Sequence, residues 1–373
     1  MHDYTPKIAR QTMSHRKLNS FILTAACILA LASCKKDEDS GVSLPSLNGT
    51  LRFELPRYIL QNATVKMTPS GVTHPEGEEL GYYWKVQTSK PAPDTTRYEN
   101  GLDKKGNPSD GSFTYTFPDT LKTYSVGGYA YAQGYTYTSS SMSTTIVKGG
   151  LNGSITGLSL NPSQTMTEEI NGRKYTYVTV GETDWMCRNI SDPSAGAPYA
   201  NCKAMDDVFG RYYSYEEALT ICPEGWELPS DADWAALAKA AGATDTENQY
   251  SDFKGIAAAL MANAYFNEEM MWEYWPEVGD ITNSTGISII PVGYAMLNGK
   301  SSETVESEFL DHTYPNAQFK GYLSYAAFWT ADKVENEEGM AYYRYVIAQQ
   351  PDLIIGKTST TSFGASVRCI RKK

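Results

Sequence analysis

Cys222-Pro223-Glu224-Gly225-Trp226-Glu227-Leu228-Pro229-Ser230-Asp231-Ala232-Asp233-Trp234 puts a strand-like run, a stop and a helix start side by side. Pro229 ends the Trp226-Glu227-Leu228 run because it has no N–H to give to a ladder. Ser230 then caps a helix, and Asp233, three residues on, is placed to reach back to the cap as Glu does in a capping box. Trp234, Leu237, Ala238 and Ala241 recur at helical spacing and make one buried face. Trp226 and Trp234 would wrap the apolar side of this corner, so Trp226, Leu228 and Trp234 read as core. The stretch is a folding motif rather than a ligand site.

Around this corner, residues 151–373 mix helix and strand signals. Tyr175 to Val180 alternates as a strand, with a turn starting at Gly181. Ser214-Tyr215-Glu216-Glu217 is a capping box, and Ile256 to Ala264 reads as a short helix. Ile287 to Pro291, Tyr325 to Thr330, Met340 to Ala348 and Ser366 to Arg371 read as strands. Upstream, the pattern is strand and turn only. Leu51 to Leu55, Ala63 to Met67, Tyr82 to Val86, Phe113 to Phe117 and the long Tyr124 to Tyr137 segment all follow period two. Short strands at this spacing over about 100 residues suggest a β-sandwich. Lys148-Gly149-Gly150 marks the seam, and Leu151-Asn152-Gly153 repeats the entry turn Leu47-Asn48-Gly49 without signalling a duplication.

The N-terminus reads as an address. His15-Arg16-Lys17 precedes an apolar run from Phe21 to Ala32, which is too short for a comfortable membrane span. Leu31-Ala32-Ser33-Cys34 resembles the bacterial lipobox, which implies cleavage before Cys34 and acylation of that cysteine, with Met13 as the start that best fits the spacing. Lys35-Lys36-Asp37-Glu38-Asp39-Ser40 resembles the tail that Bacteroidetes lipoproteins use for surface export. Loss of residues 1–33 leaves 28 basic and 42 acidic side chains, a formal charge of −14. Such a body does not hold to anionic lipid by charge, so the anchor is its acyl chains.

Composition narrows the chemistry. The whole chain of 373 residues carries a net charge of −11, which disfavours a nucleic-acid partner. Of four histidines, His2 and His15 leave with the signal, so only His74 and His312 remain. Three-His zinc chemistry is excluded, and Ser-His or Cys-His catalysis has little to work with. There are 27 tyrosines against 11 phenylalanines, a balance suited to exposed β-rich domains and binding surfaces. No GxxxxGK[ST] phosphate loop occurs.

Two resemblances organise the chain. Phe113 to Asp119 followed by Tyr124-Ser125-Val126 resembles PKD-like and related immunoglobulin-like domains, in which a tyrosine opens the penultimate strand and a tryptophan such as Trp84 fills the core. The second rests on several motifs in order: Trp185-Met186, Arg188-Asn189-Ile190, Gly210 to Ser214, the 222–234 corner, Phe328 to Ala331, and Ser366 to Ile370. Together they resemble the Fibrobacter succinogenes major paralogous domain, which is similar to the C-type-lectin-like fold and more distantly to formylglycine-generating sulfatase-modifying enzymes. The expected architecture is an all-β immunoglobulin-like sandwich followed by an α+β C-type-lectin-like domain. The segments are a signal peptide (1–33), an acidic tether (34–46), the sandwich (47–148) and the lectin-like domain (149–373). That domain would pair its first and last strands, with two helices on a small irregular sheet. Asn267 to Gly279, Cys187 and Cys202 are additions to the family pattern.

Cysteine arithmetic follows from export. With Cys27 removed and Cys34 lipidated, Cys187, Cys202, Cys222 and Cys369 allow three pairings. The family pattern implies Cys222 with Cys369, which leaves Cys187 and Cys202 to close a local loop. A four-Cys zinc site lacks CxxC spacing, and the unpaired cysteines that sulfatase-modifying activity needs are missing from the C-terminal region. Calcium is the one cofactor considered, at Asp332, Glu335, Asn336, Glu337 and Glu338; otherwise none is expected. The best ligand-binding candidates are Trp272, Tyr274 and Trp275, two indoles and a phenol beside carboxylates, but Trp272 and Trp275 at i, i+3 read more readily as a core plug. The expected function is a non-enzymatic outer-membrane lipoprotein exposed at the cell surface, whose sandwich presents a lectin-like module to a glycan or extracellular protein. The alternatives are an assembly subunit of a surface complex or appendage, and a hydrolase using carboxylates among Glu268, Glu269, Glu273, Glu277 and Asp280.

Overall fold

In the N-terminal region, alternation becomes a five-stranded sheet with two ribbons over it. The computed structural model describes residues 43–88, 96–100, 110–151, 153–158, 164–272 and 279–373. The signal segment, Cys34, Tyr274 and Trp275 therefore lie outside the described residues. The strands are β1 (Asn48–Arg52), β2 (Tyr58–Leu60), β3 (Thr64–Met67), β4 (Ser70–Thr73), β5 (Gly81–Thr88), β6 (Thr96–Asn100), β7 (Phe113–Thr116), β8 (Thr123–Tyr131) and β9 (Thr138–Val147). The large sheet runs β2-β9-β8-β5-β6, with β2 parallel to β9 and the other neighbours antiparallel. The ribbons are β1 with β4 and β3 with β7. The Tyr124 to Tyr137 segment is not one strand. It ends at Tyr131 and turns, and β9 starts at Thr138, because Gly134 takes a positive φ in the turn.

Trp84 anchors this region. Its indole is fully buried among Phe53, Phe113, Val126 and Ile146, and its Nε1 donates to the Gly111 carbonyl at 2.9 Å. Gly128 faces it across the β5–β8 pair, where a Cβ would lie 2.8 Å from the ring. A glycine is needed there to admit the indole. Among the described residues no cysteine takes part in this core, which is held by apolar burial and by the Trp84 hydrogen bond.

Downstream, one antiparallel sheet runs Thr165–Ile170, Arg173–Val180, Thr183–Met186 and Ile370–Lys372. The last strand thus pairs with Thr183–Met186 rather than with the first strand of this region. A second sheet runs Tyr325–Lys333, Met340–Ile347 and Ile354–Ser359. Among the described residues four short α-helices lie between them in sequence: α1 (Asp206–Phe209), α2 (Tyr215–Ala218), α3 (Asp231–Ala240) and α4 (Ala257–Leu260). Both capping boxes form, Ser214 with Glu217 and Ser230 with Asp233. The helix expected over Ile256 to Ala264 is only α4, which stops where Met261 turns extended. Ile287 to Pro291 is buried but is not a strand. Ser288 sits at φ 56° with its hydroxyl donating to Leu158 O, so the segment makes only an isolated bridge from Ile289 to Met261.

The disulfide joins Cys222 to Cys369, tying the Pro-Glu-Gly-Trp corner to the final strand across 147 residues. Cys187 and Cys202 are not bonded, which corrects the second bridge expected from sequence. They are buried in different hydrophobic clusters, Cys187 beside Trp185 and Trp234, and Cys202 beside Tyr199 and Met205. Each behaves as a small buried apolar side chain.

Pro45–Lys373 is one unit, and its core crosses the seam. Tyr58 and Val147 of the large N-terminal sheet share a cluster with Tyr199, Phe209 and Phe266. Asn267 Nδ2 donates to Ile146 O at 2.7 Å, and Phe309 packs against the cluster around Trp84.

Candidate functional site

Three polar centres pin the C-terminal region, and one of them reaches the surface. The first is Arg368, buried with no carboxylate beside it among the described residues. Its guanidinium donates to Asn189 Oδ1 at 3.0 and 3.2 Å, to Met186 O at 3.0 Å and to Ile287 O, and it lies over the Phe328 ring. Burial pulls its pKa down to about 9, so it keeps its charge at neutral pH. The second is Arg211, clamped between Asp206 at 2.6 Å and Asp311. Both are enclosed and hold the fold together.

The third centre starts at Asp231, fully buried in the first turn of α3. Its Oδ1 accepts from Arg344 Nε at 2.7 Å, and its Oδ2 accepts from the Tyr250 backbone N–H at 2.9 Å. Arg344 also donates to Ser251 O at 2.6 Å and stands 4.0 Å from the Phe253 ring centroid. Burial lowers its pKa, with Asp231 opposing. The pair fixes the 250–253 loop and holds Tyr250 at φ 59°, a left-handed conformation that a bulky side chain rarely adopts.

Tyr250 is 40% exposed and stacks on Tyr342, with ring centroids 4.2 Å apart and planes 15° from parallel. Stacking covers one face of the Tyr250 ring and leaves the other side of the residue to solvent. Asp332 lies below. Its Oδ2 accepts from the Asp231 N–H at 2.6 Å and its Oδ1 from the Tyr250 hydroxyl at 3.4 Å. Burial, then the Asp332 and Asp231 charges, raise the Tyr250 pKa, so the phenol stays a proton donor at neutral pH. The result is an aromatic surface with a hydroxyl and a carboxylate at its edge, its loop held by the buried Asp231–Arg344 pair. Such a surface can stack on an apolar ring face and exchange hydrogen bonds with neighbouring hydroxyls.

The sequence candidates fall elsewhere. Trp272 is 2% exposed, packs in the cluster with Trp185 and Trp234, and donates from Nε1 to Ile289 O at 3.4 Å. It is core, the reading its i, i+3 spacing favoured, which removes it from the ligand-contact candidates. Tyr274, Trp275, Glu273 and Glu277 lie outside the described residues, and Glu268, Glu269 and Asp280 are exposed. Of the calcium candidates, Asp332 is engaged as above and Glu337 pairs with Lys357. Among the described residues no three His, Cys, Asp or Glu side chains converge for a metal. Tyr250 was missed because its Asn-Gln-Tyr-Ser-Asp surroundings read as an ordinary polar loop. The one available signal was a single aromatic residue in that loop.

No curated protein matches the chain. Among solved structures, Spo0M, a sporulation control protein from Bacillus subtilis, is similar over 39% of this chain and 74% of that chain, at 13% identity and a TM-score of 0.20, too slight to bear on the fold. The family description Fibrobacter succinogenes major domain matches residues 166–371, a span that takes in the 222–234 corner, Tyr250, the Asp231–Arg344 pair and the disulfide. By that match the chain belongs to the Fibrobacter succinogenes major domain family.

Proposed function

We propose that this protein is a non-enzymatic recognition protein, anchored by lipid at Cys34 to the outer membrane and exposed at the cell surface. An immunoglobulin-like β-sandwich carries a C-type-lectin-like module, and that module binds carbohydrate through Tyr250, Tyr342 and Asp332. The observation that carries the reading is Tyr250: a half-exposed ring in a left-handed backbone, held there by a buried ion pair. Strain of this kind persists only where the surroundings over-determine it, and it clusters at ligand sites. The sequence supports the anchor through the apolar run and Leu31-Ala32-Ser33-Cys34.

The test is a glycan array probed with the full chain, followed by titration calorimetry on any hit. Tyr250→Ala should weaken binding at least tenfold, about 1.4 kcal/mol. Tyr250→Phe, which keeps the ring, should retain most of the affinity. An array with no hit, or a hit indifferent to Tyr250→Ala, refutes this assignment. Retention of a protein instead of a glycan would move the reading to an assembly subunit.

A further inference from the structure

We infer that the Tyr250 site selects amine-bearing saccharides, in which a protonated amino group stands where a neutral sugar has a ring hydroxyl. The inference rests on the carbohydrate reading above and names the class of sugar. A stacked tyrosine pair alone would take any pyranose with an apolar ring face, neutral or charged. The groups around the pair decide between them.

Asp332 is the first of these. It is half-buried, and its oxygens accept from an N–H and an O–H rather than from a cation. Oδ2 is well used by the Asp231 N–H at 2.6 Å, whereas Oδ1 has the Tyr250 hydroxyl at 3.4 Å. A bond that long is weak, and a carboxylate oxygen can accept more than one donor. An ammonium N–H would bind this oxygen at shorter range and about twice as strongly as a neutral donor. Oδ1 lies at the rim of the Tyr250 ring, so an amine on a sugar stacked there meets both the carboxylate and the ring, whose face also attracts a cation.

The wider charge balance points the same way. Residues 245–254 and 330–344, which carry Tyr250, Tyr342 and Asp332, hold seven carboxylates against three cations. Those cations are committed: Arg344 to Asp231 at 2.6 Å, Lys333 to Glu216 at 3.7 Å, and Lys254 to Asp352 at 2.8 Å and Asp252 at 3.4 Å. Asp252 and Asp332 also act on the Arg344 charge, so one buried cation answers to three carboxylates. Lys357, opposite Tyr342 in the next strand, pairs with Glu337. Asp245 and Glu247, just before Tyr250, and Glu335 and Glu338, in the turn before Tyr342, are exposed. The surface around the rings is therefore net negative. It draws in a cationic sugar, repels a uronic or sulfated one and gives a neutral one nothing further. A lysine side chain brings the ammonium without a ring face for the tyrosines.

Titration calorimetry of the full chain at weakly acid pH tests this, with oligomers of glucosamine, N-acetylglucosamine and glucose of the same linkage and length. They differ only in bearing an amine, an acetamide or a hydroxyl at one ring position. The glucosamine oligomer should bind about tenfold tighter than the other two and than oligolysine of matched charge, with the margin shrinking as salt is raised. Asp332→Asn, at a preserved melting temperature, should bind the three sugars alike, and Tyr250→Ala should weaken all three. If Asp332→Asn fails to fold, the salt series and the oligolysine comparison on the parent decide. Equal binding of the three sugars, lost in Tyr250→Ala, overturns the amine preference and leaves the carbohydrate reading standing. A preference that survives Asp332→Asn or Tyr250→Ala, or oligolysine bound as tightly, traces it to the acidity of the whole chain and overturns the inference. Failure to bind the glucosamine oligomer overturns it whatever other sugar the chain binds.

Discussion

Asp206 shows what one buried carboxylate does to the pH response. Burial is the largest influence on it and raises its pKa to about 6; Arg211 at 2.6 Å opposes, and Asp311 and Asp207 add to the rise. The folded value therefore lies above the ordinary 3.8 of the unfolded chain. A carboxylate shifted this way contributes stability that is fully present below the unfolded pKa and is lost as pH rises through the folded one. Between pH 7 and pH 5 the native state should gain about 1 kcal/mol from this group. Asp311 and Glu217 are shifted the other way: burial raises each, but Arg211 and Thr313 hold Asp311 down, and Ser214, Lys300 and Tyr314 hold Glu217 down. Their contributions fade only at more acid pH, below the window in which Asp206 titrates. Urea titrations at pH 7 and pH 5 should show the gain in the parent and not in Asp206→Asn. An equal gain in the variant would assign the response to other groups.

At the scale of elements, local chemistry was legible and long-range chemistry was not. Ser230 and Asp233 were readable as a cap because the motif is four residues long, and the box forms with Ser230 N donating to Asp233 Oδ2 at 2.9 Å. Helix α3 buries Trp234, Leu237 and Ala238 as the spacing predicts. Ser230→Ala should cost about 1 kcal/mol, read as a lower urea midpoint at unchanged slope, since the four N-terminal N–H groups lose one acceptor. A loss near zero would mean that Asp332, which accepts from the Asp231 N–H, already satisfies this end. What the sequence hid was decided by partners far along the chain. Ile287 to Pro291 has a strand's composition, but Asn283 and Leu158 claim Ser288 and bend it. Trp272 sits beside acidic and aromatic residues in sequence and among Trp185 and Trp234 in space. Tyr250 owes its posture to Asp231, 19 residues before it, and to Arg344, 94 residues after it, so no local pattern could reveal the site.

Across the whole molecule, the disulfide and the shared core act on different parts of the chain. Cys222–Cys369 closes a long loop, and two backbone bonds alongside it, Glu227 N to Ile370 O at 2.8 Å and Ile370 N to Glu227 O at 2.9 Å, hold the same junction without it. Cutting the bond therefore loosens the unfolded-chain constraint more than it disturbs the native contact. Chain-entropy reasoning puts that constraint at roughly 5 kcal/mol for a loop of this length. Cys222→Ala/Cys369→Ala should keep the native circular dichroism spectrum and lose several kcal/mol in urea. The N-terminal sheet should unfold in the same transition, because Tyr58, Val147 and Phe309 bind it to the C-terminal clusters. Trp84 is buried in the N-terminal core, while Trp185, Trp234 and Trp329 lie in the C-terminal one, so the fluorescence of Trp84→Phe follows the C-terminal half and its difference from the parent follows Trp84. Coincident midpoints from both reporters, moving down together when the disulfide is removed, are the expected result. Two separated midpoints would show that the packing across Tyr58 is too weak to make the halves one cooperative body.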